Sequence, residues 1–398
     1  MRVNTVVAMS PLLRRGEPVF KQPTTNSAQL ALDTILQKPV LGIPSWLLNV
    51  MEQRCIERFA GVGPGEYRRH PDDVYLTFQR AVGTCLLDQY LADNPLTIGD
   101  HGFESTPLGA TTGANQIVVD GYTIDSPEAL VNHLEHVEFV RLRERISNFD
   151  MPTRVREIID GERRVQELIG PSMLKSGYEF IQFPTFAYGI YGYTNYFMAY
   201  GLYPEIIERH FALQADLATL NNRAAAAAYT EGNLPPLFRL DHDMADSRGT
   251  LVDIRSLDRI WFPHFARCLE PLLRTNVRLI WHCDGNLMQM VPRLLEVGLH
   301  GFQGFQYEDG MDYPRICTMK TRTGESLIII AGVSVTRTLP FGTPSEVRSE
   351  IDWLVEYGPR TGLFLGGSSS IAPGVPWANL QIMVEAFRYY YQCGRSGR

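Results

Sequence analysis

Cysteine is scarce and scattered in this chain. The six cysteines, Cys55, Cys85, Cys268, Cys283, Cys317 and Cys393, show no CxxC spacing. They read as reduced intracellular thiols rather than a disulfide frame, so a cytoplasmic location is expected. Long hydrophobic runs are missing too, and none approaches the ~18 residues of a membrane span. Positive charge is in deficit, with 37 Lys and Arg against 44 Asp and Glu and a net charge of -7. That balance argues against a nucleic-acid partner. There is no fixed-period repeat and no long low-complexity tract. The opening stretch "MRVNTVVAMSPLLRRGEPVF" has no small-residue cleavage site, and basic residues follow its short apolar run. It reads as a loosely packed leader, not a signal peptide.

What remains is ordinary globular material. Of 398 residues, 44% are apolar and 20% charged, enough to fill a sizeable core. The second half alternates strand and helix. "PLFRL" (236–240), "RLIW" (278–281), "GFQGFQ" (301–306), "SLIIIAGV" (326–333) and "GLFLG" (362–366) read as strands. Between them lie "LDRIWFPHFARCLEPLLR", read as one helix, and "VPRLLEVG", which Gly298 stops. "TPSEVRSEIDWLVEYG" opens on a capping box, Thr343 with Glu346. A long helix runs from Pro204 through "RAAAAAY" to Gly232, and "PWANLQIMVEAFRYYYQ" makes the last one. "YEFIQF" (178–183) reads as an earlier strand, and "PLTIG" (95–99) as another. Buried strands alternating with helices imply a parallel sheet. The expected fold is α/β, a (β/α)8 TIM barrel with a helical N-terminal extension and an inserted hairpin at "GATTGANQIVVDGYTIDSP". The extension covers residues 1–93 and the barrel 94–398.

In such a barrel the loops after each strand gather on one face, where chemistry sits. Polar residues follow these strands: Asp241, His242, Asp243 and Arg248; His282, Cys283, Asp284 and Asn286; Gln306 and Glu308; Ser334; Ser368, Ser369 and Ser370. His282 and Asp284 are two apart and point the same way on extended backbone. They suit a metal site completed from another strand end, or an imidazole oriented by a carboxylate for proton transfer. Asp243 on a neighbouring strand end is the third candidate, because two nearby carboxylates hold each other's pKa apart. Cys283 points the other way and reads as a buried small hydrophobe. Ser369 belongs to a turn that also suits an anion nest. In the run "FPTFAYGIYGYTNYFMAYGLY", Phe186, Tyr188 and Tyr193 follow a strand end and can wall a ligand pocket; core packing accounts for them equally well.

"HDMADSRGTLVDIRSLDRIWFPHFARCLEPLLR", "HCDGNLMQMVPRLLEVGLHGFQGFQ", "AGVSVTRTLPFGTPSEVRSEI" and "SSSIAPGVPWANL" together resemble the uroporphyrinogen decarboxylase and corrinoid-linked methyltransferase superfamily. The blocks stand in order between about residues 178 and 390. The resemblance implies a (β/α)8 barrel and, by analogy, a homodimer. The namesake decarboxylases grip their substrate with an R-Q-A-G-R block; here "GIPSWLLNVMEQRCIERFAGV" lacks it. Thiol-methylating members bind zinc through His-x-Cys and a distant Cys. His282 matches the histidine, Asp284 stands at the cysteine, and the distant position falls on or beside Ser369. Oxygen ligands suit a harder or weaker metal site than thiolates.

Three functions follow. The first is methyl transfer from a small methylated or methoxylated substrate to a corrinoid on a carrier protein. In it His282 and Asp284 bind zinc or another divalent metal or polarise the substrate, while Asp243 and Gln306 position it. The second is decarboxylation of a porphyrinogen or smaller acid, with Arg248 as the visible cation. The third is a non-catalytic ligand-binding barrel.

Overall fold

The computed structural model describes residues 27–95 and 117–397. The leader lies outside these residues, as does the expected strand at 95–99 beyond its first residue. At the centre lies a parallel six-stranded sheet, a half-barrel in order β12-β11-β10-β9-β6-β5. Its strands are β5 (Gly177–Tyr178), β6 (Leu237–Asp241), β9 (Arg278–His282), β10 (Gly301–Gly304), β11 (Ile328–Val333) and β12 (Leu363–Gly367). β10, β11 and β12 are buried along their whole length. Near-continuous apolar runs such as "IIIAGV" are what a sheet covered on both faces requires.

Parallel neighbours need crossover connections, and helices supply them. The helix Pro204–Gly232 leads from β5 to β6 and ends on Asn233 in the left-handed conformation. The helix Pro344–Tyr357 leads from β11 to β12, and its Thr343–Glu346 capping box is formed as expected. The helix Trp377–Cys393 follows β12.

Before the half-barrel, about half of residues 27–93 is helix, with Ser27–Ile35, Gln53–Ala60 and Pro71–Val82 the longest pieces. They also carry strand pairing. β1 (Leu86–Leu87) pairs in parallel with β4 (Leu174–Lys175), and β4 is separated from β5 by Ser176 alone. Ser45 bridges Leu365 of β12, and Trp46 bridges Leu86 of β1, both in parallel. The inserted hairpin is β2 (Val118–Val119) with β3 (Tyr122–Thr123). Its turn residues Asp120 and Gly121 have φ of 51° and 83°, the two positive values that a tight hairpin turn asks for.

Two expectations change. The strand placed at 178–183 is shifted toward the N-terminus: pairing ends at Tyr178, and Glu179 at φ 67° turns the chain away. Phe180 and Ile181 are buried without being strand. The helix expected across 257–274 is two helices, Ile254–Ile260 and Phe262–Leu273. Trp261 between them is fully buried, and its indole N–H donates to the Pro184 carbonyl at 2.9 Å. Pro263 has no backbone N–H to continue the first helix. Among the described residues no helix is long and apolar enough to cross a membrane, and all six cysteines are free.

Candidate active site

Strand register builds the site. Asp241 pairs with His282 and His282 with Gln303. Residues opposite one another in a parallel sheet face the same side, so these three side chains form one row across β6, β9 and β10. Arg239, two residues before Asp241, faces the same way. The row opens into a cavity of about 230 Å³, also lined by Trp46, Asn49 and Ser369.

Arg239 is the cation beneath this cavity, and it is only 3% exposed. Its Nε donates to Asp88 Oδ2 at 2.5 Å, Nη1 to Asp241 Oδ2 at 2.7 Å and Nη2 to Gln89 Oε1 at 2.5 Å. It lies over the Tyr178 ring at 4.5 Å. Asp88 also accepts from the Trp46 indole at 2.9 Å, and Asp241 from the Tyr178 hydroxyl at 2.9 Å. Burial alone would raise the Asp241 carboxyl, but His282, Arg239 and these hydrogen bonds outweigh it and hold the pKa below its ordinary value.

Above the row sits the loop after β9. Asp284 Oδ1 is 3.9 Å from His282 Nε2, and its backbone N–H donates to Asp243 Oδ1 at 2.8 Å. Ser369 Oγ donates to Asp284 Oδ2 at 3.2 Å. The Gly285 N–H donates to Gln306 Oε1 at 2.7 Å, so Gln306 holds the loop in place. Gly285 has φ of 86°, and a Cβ there would meet the Asp246 carbonyl at 2.7 Å. Cys283 faces away; its sulfur accepts from the Met244 N–H at 3.3 Å, and burial raises its thiol. Asp243 reaches the surface at one edge and is crowded by protein elsewhere. That loss of water, together with the Asp284 and Asp241 charges, raises its pKa.

Asp243, His282 and Asp284 each offer one ligand atom, all within 4.8 Å of one another. Donors around a divalent ion at ~2.0–2.2 Å stand roughly 3–3.5 Å apart, a contraction that carboxylate rotation can supply. The donor set is one nitrogen and two oxygens, which fits a divalent cation of borderline or hard character. Such a charge would also relieve the crowding that raises Asp243.

The other expected residues are placed differently. Arg248 is not brought to the mouth: its side chain is 88% exposed and pairs with Asp246, on the hairpin of β7 (Ala245–Asp246) and β8 (Gly249–Thr250). Phe186 is buried in an aromatic cluster and lines a second cavity of about 450 Å³. Tyr188 stacks on His242 at 5.8 Å and donates its hydroxyl to the Asp243 carbonyl at 2.9 Å. Tyr193 packs on Tyr188 at 4.4 Å. The aromatic run thus braces the Asp243 loop and does not line the smaller cavity. His242 accepts the Phe186 N–H at 2.9 Å, and burial lowers its pKa to about 4, so it is neutral. Ser334 and Glu308, expected at strand ends, hydrogen-bond to each other at 2.5 Å.

Arg239, Gln303, Trp46 and Asp88 were not among the expected site residues. A signal existed for two of them. "FRLD" sets an arginine in an apolar strand two residues before a carboxylate, and "GFQG" sets a glutamine in a buried strand. Trp46 and Asp88 sit on segments too short for any periodicity.

No family model matches the chain, and no curated protein matches it. Among solved structures it is similar to a methyltransferase from Methanosarcina mazei, with 15% sequence identity and a TM-score of 0.53. The match covers 92% of this chain and 99% of that one. At this identity the likeness is one of fold.

Proposed function

We propose that the protein is a methyltransferase. It takes a methyl group from a small methylated or methoxylated substrate and passes it to a corrinoid on a carrier protein. His282, Asp284 and Asp243 hold a divalent metal, zinc or another. The observation that carries this reading is the set of one imidazole and two carboxylates at the edge of the 230 Å³ cavity. The fold shared with a methyltransferase agrees with it.

In the reaction the carbon–heteroatom bond breaks, its electron pair stays on the heteroatom, and the methyl group leaves without that pair. The corrinoid, when bound, supplies the nucleophilic cobalt. The divalent cation, when bound, supplies a Lewis acid for the leaving heteroatom. Asn49, Gln303 and Ser369 orient the substrate between them. A metal takes the ionised form of Asp243, whose pKa burial raises, so metal affinity should rise with pH.

Two placements favour methyl transfer over decarboxylation. Arg248 pairs with Asp246 in solvent, and Arg239 is already bound to Asp88 and Asp241. Neither is free to grip a substrate carboxylate.

The same reading takes the strand pairings as a closed (β/α)8 ring. Residues 45–47, β1 and the β4–β5 segment would be the staves that join β12 back to β6. A boundary near residue 93 would then fall within one unit.

Elemental analysis of purified protein, with methyl-transfer assays using reduced cobalamin, tests the proposal. One divalent ion per chain is expected, lost in His282→Ala along with at least ~100-fold in transfer rate. No bound metal and no transfer across a broad panel of methoxylated and methylated donors would overturn it.

A further inference from the structure

The loop that carries Asp284 is held from behind by a run of contacts that ends outside the cavity. Gln306 Oε1 accepts the Gly285 N–H at 2.7 Å, and Gln306 leads directly into the turn Tyr307–Asp309. No residue of that turn is fully buried, so side chains have to tie it down. Glu350, on the helix Pro344–Tyr357, supplies the tie. Its Oε1 accepts from the Tyr307 hydroxyl and from the Ser334 N–H at 2.6 Å. Ser334 is 1% exposed and follows the last residue of β11. One carboxylate oxygen thus joins the turn after β10 to the end of a buried strand. Glu308 repeats the link, since its Oε1 accepts from the Ser334 and Thr336 hydroxyls at 2.5 Å each.

Among the described residues no cation pairs with Glu350. The charged groups on the turn are Glu308 and Asp309, and the cation on the loop after β11 is Arg337. The Arg337 side chain is 65% exposed and lies 3.8 Å from Asp309. On the helix of Glu350 itself, Arg348 pairs with Asp352 at 2.9 Å, and Glu346 accepts the Thr343 N–H at 2.6 Å. The helix Tyr313–Thr318 turns the Tyr313 hydroxyl to the Leu354 carbonyl at 2.7 Å. The last helix meets Arg348 through the Tyr389 ring at 4.8 Å. Burial therefore prevails over the Ser334 N–H and raises the Glu350 pKa to about 7. An ionised Glu350 gains by reaching water, and release of the turn gives it that contact.

Resting on the metal site of the methyl-transfer reading, we propose that Glu350 is a positioning residue for that site. By holding Tyr307 against Ser334 it fixes Gln306, and Gln306 fixes the Gly285–Asp284 loop beside His282 and Asp243. The clamp also responds to pH. Released to water, Glu350 has an ordinary carboxylate pKa of ~4.3. Between that value and about 7 the held form keeps a proton that the released form sheds, so release gains by up to ~10-fold per pH unit. Above that range both forms are ionised and the gain stops. His210, His242 and His300, lowered by burial to about 4, act on global unfolding with the opposite sign, so the two effects separate.

Hydrogen exchange in the full-length, metal-free protein reads the clamp at the Gly285 amide, with Ile330 of β11 as the standard for global unfolding. From pH 5 to 7, Gly285 protection, corrected for intrinsic exchange, should fall at least ~10-fold in the wild type, with no such fall at Ile330. Glu350→Gln keeps an acceptor oxygen and cannot ionise, so its Gly285 protection should stay within ~3-fold over that range. Tyr307→Phe removes the hydroxyl and keeps the ring that packs on Trp353 at 5.2 Å. It should lower Gly285 protection by about 5-fold at pH 6. A Gly285 profile shared by wild type and Glu350→Gln, or unaltered protection in Tyr307→Phe, overturns the proposal. Zinc titration separates it from the metal reading. Zinc should bind about 10-fold more weakly to Glu350→Ala than to the wild type, and equal binding overturns the positioning role. Absence of zinc binding in every protein, with the exchange pattern as expected, counts against the metal site and supports the clamp.

Discussion

Arg239 carries the electrostatics of the cavity. It is buried with Asp88 and Asp241 in one network, and removing one member of a buried charged network leaves the others uncompensated. Arg239→Met should therefore destabilise the protein by about 3–5 kcal/mol in urea unfolding. A loss below about 1 kcal/mol would mean that water replaces the guanidinium freely. Adding Asp88→Asn to that variant should recover part of the loss, because one stranded carboxylate is then gone.

Acid sensitivity follows from other single residues. Burial holds His210, His242 and His300 at about 4, against ~6.5 in an unfolded chain. Between those values the unfolded chain takes up protons that the folded one refuses, so stability falls as pH drops from about 6.5 to 4. Asp241, held below its ordinary value, has the same sign. Glu350 opposes them. Burial raises it to about 7, against ~4.3 unfolded, so its contribution is present at low pH and lost as pH rises through 7. Thermal melts from pH 7 to 4.5 should show a net fall in Tm, steeper in Glu350→Gln. A flat profile in both proteins would refute this account. His282 and Asp284 do stand 3.9 Å apart, but strand alternation is not the reason: β9 ends at His282, and a loop held by Asp243, Gln306 and Ser369 brings Asp284 back to it. The role of Gln306 as a loop anchor was not legible, because its partner is a backbone N–H on another element.

At the scale of elements, the loop after β9 decides whether the mouth can assemble. Gly285 combines a left-handed φ with close approach to the Asp246 backbone, and a side chain suits neither. Gly285→Ala should cost about 1–3 kcal/mol in stability and, if the proposed metal site is occupied, lower the metal content by shifting Asp284 relative to His282. Wild-type metal content with unchanged stability would show that the loop accommodates the methyl group. Local chemistry made several elements readable: the Thr343 capping box, the start at Pro204 and the stop at Gly298. The turn at Glu179 and the break at Trp261 were hidden. In both places apolar residues meet the core without following a strand or helix period, so tertiary packing overrides the local pattern.

For the molecule as a whole, the proposed ring depends on short pairings contributed by the first ninety residues. Trp46 N–H donates to Leu365 O at 2.8 Å, Leu47 N–H to Leu86 O at 2.9 Å, and Ser176 N–H to Leu87 O at 3.0 Å. If these close the sheet, their amides should exchange only through global unfolding, with protection equal to that of β11. Much faster exchange at Trp46 and Ser176 than at Ile330 would mean an open half-barrel with a loosely attached N-terminal region.

The sequence by itself determined the alternation of strand and helix, the parallel sheet, and the placing of His282, Asp284 and Asp243 at strand ends. Each is written in a local period or a short spacing. Only the tertiary structure decided that Arg239 lies beneath the cavity while Arg248 stays in solvent, and that Trp46 and Asp88 reach the same interior. Which side chains meet across separate strands depends on register and on how the sheet curves. Both are set by packing between segments far apart in the chain, and no window of sequence contains them.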